Sequence, residues 1–150
     1  MVNQKFKEGL HSHVVNLVNK QVSEITTAIS SQKEGSQGSS SAGDKHNTEG
    51  AMQHLELEKK HIQLATVIQN QQTLEKINLK KTFKSVNTGA LIKTNKGLFY
   101  FSVAMGKTVF LKQDVMVISI ASPIGQILKG LKEGESLTFN EQPWNILNII

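Results

Sequence analysis

Large apolar side chains recur at steps of three and four through the start of the chain: Phe6, Leu10, Val14, Leu17 with Val18, Val22, Ile25 and Ile29. That spacing lays them along one side of a helix. Gly35 is a candidate stop, with Lys33 favourably placed near the carbonyl end of the helix dipole. Valine, threonine and asparagine are frequent here, so intrinsic helix propensity is only moderate and the helix needs a partner. A second helical run supplies one. Its apolar positions fall at Met52, Leu55, Ile62 and Ala65, with Leu57, Leu64 and Ile68 widening the stripe and Leu74 and Ile77 closing it. Between the runs, residues 30–49 form a Ser/Gly-rich stretch that cannot bury a core. Ser40 or Ser41 is a reasonable N-cap for the second helix, which places Asp44 in or near its first turn. Two stripes joined by one connection pack as an antiparallel pair. The expectation is a helical hairpin whose tip is its working end. A two-helix rod has little interior, so it needs a base.

The periodicity changes after Lys81. Short β-like runs follow at 90–94, 98–103, 108–111, 115–120, 135–139 and 144–150, with Asn95, Lys96 and Gly97 as a turn between the first two. The run Val115 to Ile120 is continuously apolar and reads as a strand buried on both faces. Ser122 and Pro123 read as N-cap and first position of a short helix ending near Gly130. The predicted class is α+β: a hairpin over residues 1–80, then a compact antiparallel β domain with one short helix over 83–150. The boundary falls near Phe83.

Composition narrows the chemistry. Cysteine is absent, which excludes disulfides and thiolate metal sites. No apolar run is long enough to span a bilayer, and no N-terminal targeting segment is legible, so a cytoplasmic protein is expected. The net charge of +5 comes from lysine alone, because arginine does not occur. A basic balance favours acidic partners, while the lack of arginine weighs against sequence-specific DNA recognition. Lys45, Lys59 and Lys60 lie on the hairpin, where a solvated face is their ordinary role. His54, Glu58 and His61 share a helical face, but a carboxylate-bridged metal pair requires a second such motif. The first helix offers only Glu8 and Glu24, so these side chains are read as solvated. His11 and His13 are two apart and make no ligand pair. Phe99, Tyr100, Phe101 and Trp144 are read as core.

Two local motifs point further. The stretch I-S-I-A-S-P-I-G-Q-I-L-K-G-L-K-E-G-E, residues 118–135, resembles the C-terminal signature of Gre-type bacterial transcription elongation factors, the GreA/GreB family. Ser122, Pro123, Gly125, Leu128, Gly130, Gly134 and Glu135 occupy its positions. An N-terminal hairpin carrying Gly43 and Asp44 where the family has Gly-Asp at its coiled-coil tip is a looser match. The resemblance implies an antiparallel coiled coil followed by an FKBP-like β domain. It also implies RNA polymerase as partner, with the nascent RNA 3′ end met only indirectly, and no membrane. Residues Ser122, Pro123, Ile124 and Gly125 would lie in the polymerase-docking region. Asp44 would be the principal carboxylate toward a magnesium ion held jointly with polymerase, with Glu49 or Asn47 assisting. The chain would bind no cofactor of its own. It would act not as an enzyme but by stimulating the polymerase's own cleavage of backtracked RNA.

The tip also departs from the family. Where the family has Asp-x-x-Glu, this chain has Asp44 followed by Asn47, and the nearest glutamate is Glu49. A spacing of three places two groups on one side of a helical turn; a spacing of five points them apart. Asn47 offers a metal an oxygen but no charge. Two rivals therefore stand beside the first reading: a cleavage-incompetent regulator in the same channel, and a coiled-coil adaptor for another protein. Acids near a helix N-terminus also have an ordinary dipole role. Prolyl isomerisation, raised by the FKBP-like fold, would need an aromatic-lined pocket that these few aromatics do not promise.

Overall fold

The computed structural model describes residues 2–39 and 47–150, and the side chains of residues 2–32 and 51–150. The chain forms two compact units, one of residues 15–71 and one of residues 1–14 together with 72–150. The second long helix ends at Lys76 and the first strand opens at Leu91, while the limits of the compact units fall within the helices.

The unit of residues 15–71 is built from two long helices, α1 (Gln4–Ser39) and α2 (Asn47–Lys76). Along α1 the expected stripe is the inward one, with Val18 and Ile29 buried and Leu17, Val22 and Ile25 half-buried. The helix runs through Gly35 rather than stopping there. A glycine costs a helix interior roughly 1 kcal/mol relative to alanine, too little to end one by itself. The pairing is antiparallel. Gln71 Nε2 donates to Asn19 Oδ1 at 2.8 Å, and Lys60 Nζ donates to Gln32 Oε1 at 2.7 Å.

On α2 the sequence reading chose the wrong side as its leading stripe. Met52, Leu55, Ile62 and Ala65 are exposed, whereas Val67 is buried and Leu57 and Leu64 are half-buried. Helical spacing identifies an apolar stripe but not its partner, and α2 carries apolar groups on two sides.

The second unit is a six-stranded sheet with order β3-β4-β2-β1-β6-β5. Its strands are β1 (Leu91–Thr94), β2 (Gly97–Phe101), β3 (Gly106–Phe110), β4 (Gln113–Ile118), β5 (Ser136–Phe139) and β6 (Gln142–Ile149). The pairings are antiparallel except β2 with β4, which run parallel with Tyr100 opposite Val117. The intervening β3 folds back as an edge strand on β4, with Thr108 opposite Val115. Parallel neighbours need a crossover, and here a short strand supplies it instead of a helix. β4 is not buried on both faces as its apolar run suggested. Val115 and Val117 are buried, but Met116 between them and Asp114 before them are exposed, so the strand alternates.

The two faces of the sheet are covered by different elements. The start of α1 lies on the face of Tyr100, Thr108 and Phe110, where the Phe6 and Phe110 rings meet edge-on at 5.3 Å. A β-carbon on Gly9 would come within 2.9 Å of the Phe110 ring, which explains a glycine at that helical position. The other face holds a core of Phe83, Val86, Ala90, Ile92, Phe99, Phe101, Leu128, Ile146 and Ile149. Leu128 belongs to the short helix α3 (Pro123–Leu128), so α3 covers this second face. The strand aromatics are core as expected, with Trp144 packed on Phe99 at 5.2 Å.

Candidate functional site

The surface at the start of α3 is shaped by four consecutive residues. Ser122 adopts extended backbone angles, and its hydroxyl accepts from the Gly125 N–H at 3.1 Å, satisfying one of the helix's open donors. Pro123 follows in the first turn, where the missing N–H costs nothing. Ile124 turns inward against the core. Gly125 has no room for a side chain, since a β-carbon there would sit 2.6 Å from the carbonyl oxygens of both Ser119 and Ile120. The preceding turn is held by Ser122 N–H to Ser119 O at 3.0 Å and by Ala121 N–H to Ser119 Oγ at 3.1 Å. Lys129 N–H closes the helix on Gly125 O at 2.9 Å, and Gly130 then takes a left-handed φ of 86°. Ala121, Pro123, Gln126 and Ile127 are left facing outward as a small, mainly apolar surface.

Of the tip residues expected from the sequence, Asp44 lies outside the described residues, as do Gly43, Lys45 and the candidate caps Ser40 and Ser41. Asn47 and Glu49 fall in the first turn of α2. On the same helix His54, Glu58 and His61 are exposed.

Sequence reasoning missed a buried polar cluster beneath the sheet. Lys7 is fully buried, and its ammonium donates to Ile150 O at 3.0 Å and lies 4.4 Å from the centre of the Phe83 ring. Burial pulls its pKa down from 10.5 to about 8. One helical turn on, His11 Nδ1 is 2.7 Å from the Tyr100 hydroxyl. Burial, and then the Lys7 charge, hold His11 below its ordinary value, while burial pushes the Tyr100 phenol up. A neutral imidazole accepting from a protonated phenol fits these shifts. His13 Nε2 meets Thr108 Oγ1 at 3.1 Å, so both histidines serve packing. The signal was present in the spacing: Lys7, Leu10, His11 and Val14 share one face, with two polar residues on a stripe that reads as core.

An open cavity of about 660 Å³ beside β1 and β4 is lined by residues that include Lys93, Thr94, Leu98, Lys112 and Asp114, with no aromatic among them. That lining lacks what prolyl isomerisation would need. Among the described residues no helix is long and apolar enough to cross a membrane.

No family model matches the chain, and no curated protein matches it. Among solved structures the chain is similar to the GreA factor homolog 1 (Gfh1) protein of Thermus thermophilus. That similarity is 16% identity over 95% of this chain and 93% of the other, with a TM-score of 0.35. It is also similar to Thermus aquaticus Gfh1, at 18% identity over 89% of this chain and 92% of the other, with a TM-score of 0.30. Superpositions of that quality do not equate two whole-chain arrangements, and the functional reading is carried by this chain's own residues.

Proposed function

We propose that this chain is a Gre-type accessory factor of RNA polymerase. In this reading the region from Ser122 to Gly125 docks at the rim of the enzyme's secondary channel, and the helical hairpin enters it. The factor is not an enzyme. It stimulates the polymerase's own hydrolysis of a backtracked transcript, with Asp44 presenting a carboxylate oxygen toward polymerase-bound magnesium and Glu49 or Asn47 assisting. Hard divalent ions of this kind are held by a few carboxylate oxygens, and the metal supplies activation of the attacking water. The observation that carries the reading is the start of α3. There the cap, the first-turn proline and the crowded glycine each meet a physical demand at the position where the sequence resembles the family signature. The antiparallel pairing of α1 and α2 supports the same reading.

The asparagine at 47, where the family has a glutamate, favours a second version: a factor that occupies the channel and slows synthesis without cleavage. Backtracked elongation complexes mixed with the protein separate the two. Shortening of the RNA from its 3′ end, abolished by Asp44→Asn with binding retained, is the expected result. Binding with slowed synthesis and no cleavage selects the second version, in which Asn47→Glu is expected to create cleavage. Failure to bind polymerase overturns both.

A further inference from the structure

The cavity beside β1 and β4 lies at the end of the sheet where the β1–β2 and β3–β4 turns stand side by side. It opens on the face that carries Tyr100, opposite the face that α3 covers. Lys93 on β1 stands between Asn148 on β6 and Leu98 on β2 in one cross-strand row, with neighbours about 5 Å apart. Lys112 reaches the same space from the β3–β4 turn. Among the described residues neither ammonium has an acceptor, and the half-buried side-chain amide of Asn148 has no hydrogen-bond partner. Asp114 also lines the cavity, but its carboxylate is held by Lys107 at 3.3 Å. The wall therefore keeps two uncompensated positive charges. From Lys76 to Gln113 every charged side chain is a lysine, so β1, β2 and β3 supply no acid to offset them. The wall is also preformed. Lys96 N–H donates to the Thr94 hydroxyl, which donates to Gly97 O, both at 3.0 Å, and the β1–β2 turn is fixed by these bonds.

The chemistry of the lining selects a class of ligand. At about 660 Å³ the cavity has the size of a small-molecule site, a class that spans about 300–1,000 Å³. Two ammonium groups around one space match a dianion. A phosphate monoester carries close to two negative charges at neutral pH, whereas a carboxylate or a sulfate monoester carries one. Lysine binds phosphate as a point charge and needs no fixed fork to do so. The rest of the lining is uncharged: Leu98 and Val2 are apolar, and the Asn148 and Gln113 amides both donate and accept. That mixture suits a body of hydroxyls and aliphatic carbon. No aromatic ring lines the cavity, so a nucleic acid strand finds no platform on which to stack its bases. We propose that this cavity binds a small phosphorylated molecule with a sugar or other polyol body. The phosphate lies between Lys93 and Lys112, and the hydroxyls meet Asn148 and Gln113. The site does not depend on the polymerase reading, which rests on α3 across the sheet.

Amide NMR of the full chain at low salt, titrated with glucose phosphorylated at its primary hydroxyl, tests the assignment. Saturable shifts are expected at Leu98, Gln113 and Asn148, with a dissociation constant of about a millimolar or below. The corresponding glucose sulfate should bind about ten-fold more weakly, because it brings one charge to two lysines. Lys93→Gln and Lys112→Gln should each weaken the phosphate ester about five-fold, the scale of one exposed charge pair. Circular dichroism should stay unchanged in both variants, since both side chains are exposed and unpaired. Absence of saturable shifts, or shifts confined to other residues, overturns the proposal. So does equal binding of the sulfate ester, or unchanged affinity in both lysine variants. A single-stranded RNA oligonucleotide that shifts the same amides at lower concentration overturns the small-molecule assignment.

Discussion

Lys7 offers the sharpest test of the packing between α1 and the sheet. Its ammonium is fully buried with one hydrogen-bond acceptor, and its pKa falls from 10.5 to about 8 because burial disfavours the charge. At about 1.4 kcal/mol per pH unit, the shift corresponds to about 3 kcal/mol of destabilisation while both states are protonated. The sign follows from proton counting. Between pH 8 and 10.5 the unfolded chain holds a proton that the folded chain has released, so stability rises with pH across that window. Tyr100 acts oppositely above pH 10.0, where the unfolded chain loses a proton that the buried phenol keeps. The β unit should therefore gain about 2 kcal/mol between pH 8 and pH 10 and lose stability beyond. His11, held below its ordinary value of 6.5, should lower stability as the solution is acidified through that pH. Lys7→Met removes the charge without orphaning its acceptor, because Ile150 O also accepts from the Leu91 N–H at 3.0 Å. The variant should lose the rise between pH 8 and pH 10. Urea unfolding followed by fluorescence of Trp144, the single tryptophan, reports on the sheet unit directly. A wild-type protein that weakens between pH 8 and pH 10, or a Lys7→Met variant that keeps the rise, would refute the reasoning.

Two further outcomes follow from backbone geometry. Gly125→Ala forces a methyl against two carbonyl oxygens 2.6 Å away, so it should cost about 1–3 kcal/mol in urea unfolding. Its loss should exceed that of Ala at any solvent-facing site of α3. Leu111 and Lys112 join β3 to β4 with φ of 49° and 64°, a left-handed pair that hairpins normally give to Asn-Gly. The double change Leu111→Asn with Lys112→Gly should raise the thermal midpoint, by about 1 kcal/mol or more in stability, because a β-carbon is strained at these positive φ values, where Asn is tolerated and Gly has none. A lower midpoint would show that the side chain of Leu111 contributes more than its backbone costs.

Much of the molecule is decided locally and was legible in the amino-acid order. The stripe from Phe6 to Ile29 needs only helical spacing. The Asn95 to Gly97 turn and the Ser122–Pro123 start of α3 need only the stereochemistry of neighbouring residues, and all of these appear where expected. The antiparallel helix pair followed by an antiparallel-dominated sheet with one short helix is likewise the class that the periodicity implied. Contacts across long sequence separations decided the rest. Which seam of α2 meets α1 depends on a partner dozens of residues away, and both seams satisfy the same period. The parallel match of β2 with β4 depends on β3 folding back to the sheet edge, so Met116 on β4 stays exposed inside an apolar run. Lys7 and His11 became core residues only because the sheet closed over that face of α1 and offered Ile150 O and the Tyr100 hydroxyl as partners. Spacing along a chain determines which residues share a face; only packing determines what that face meets.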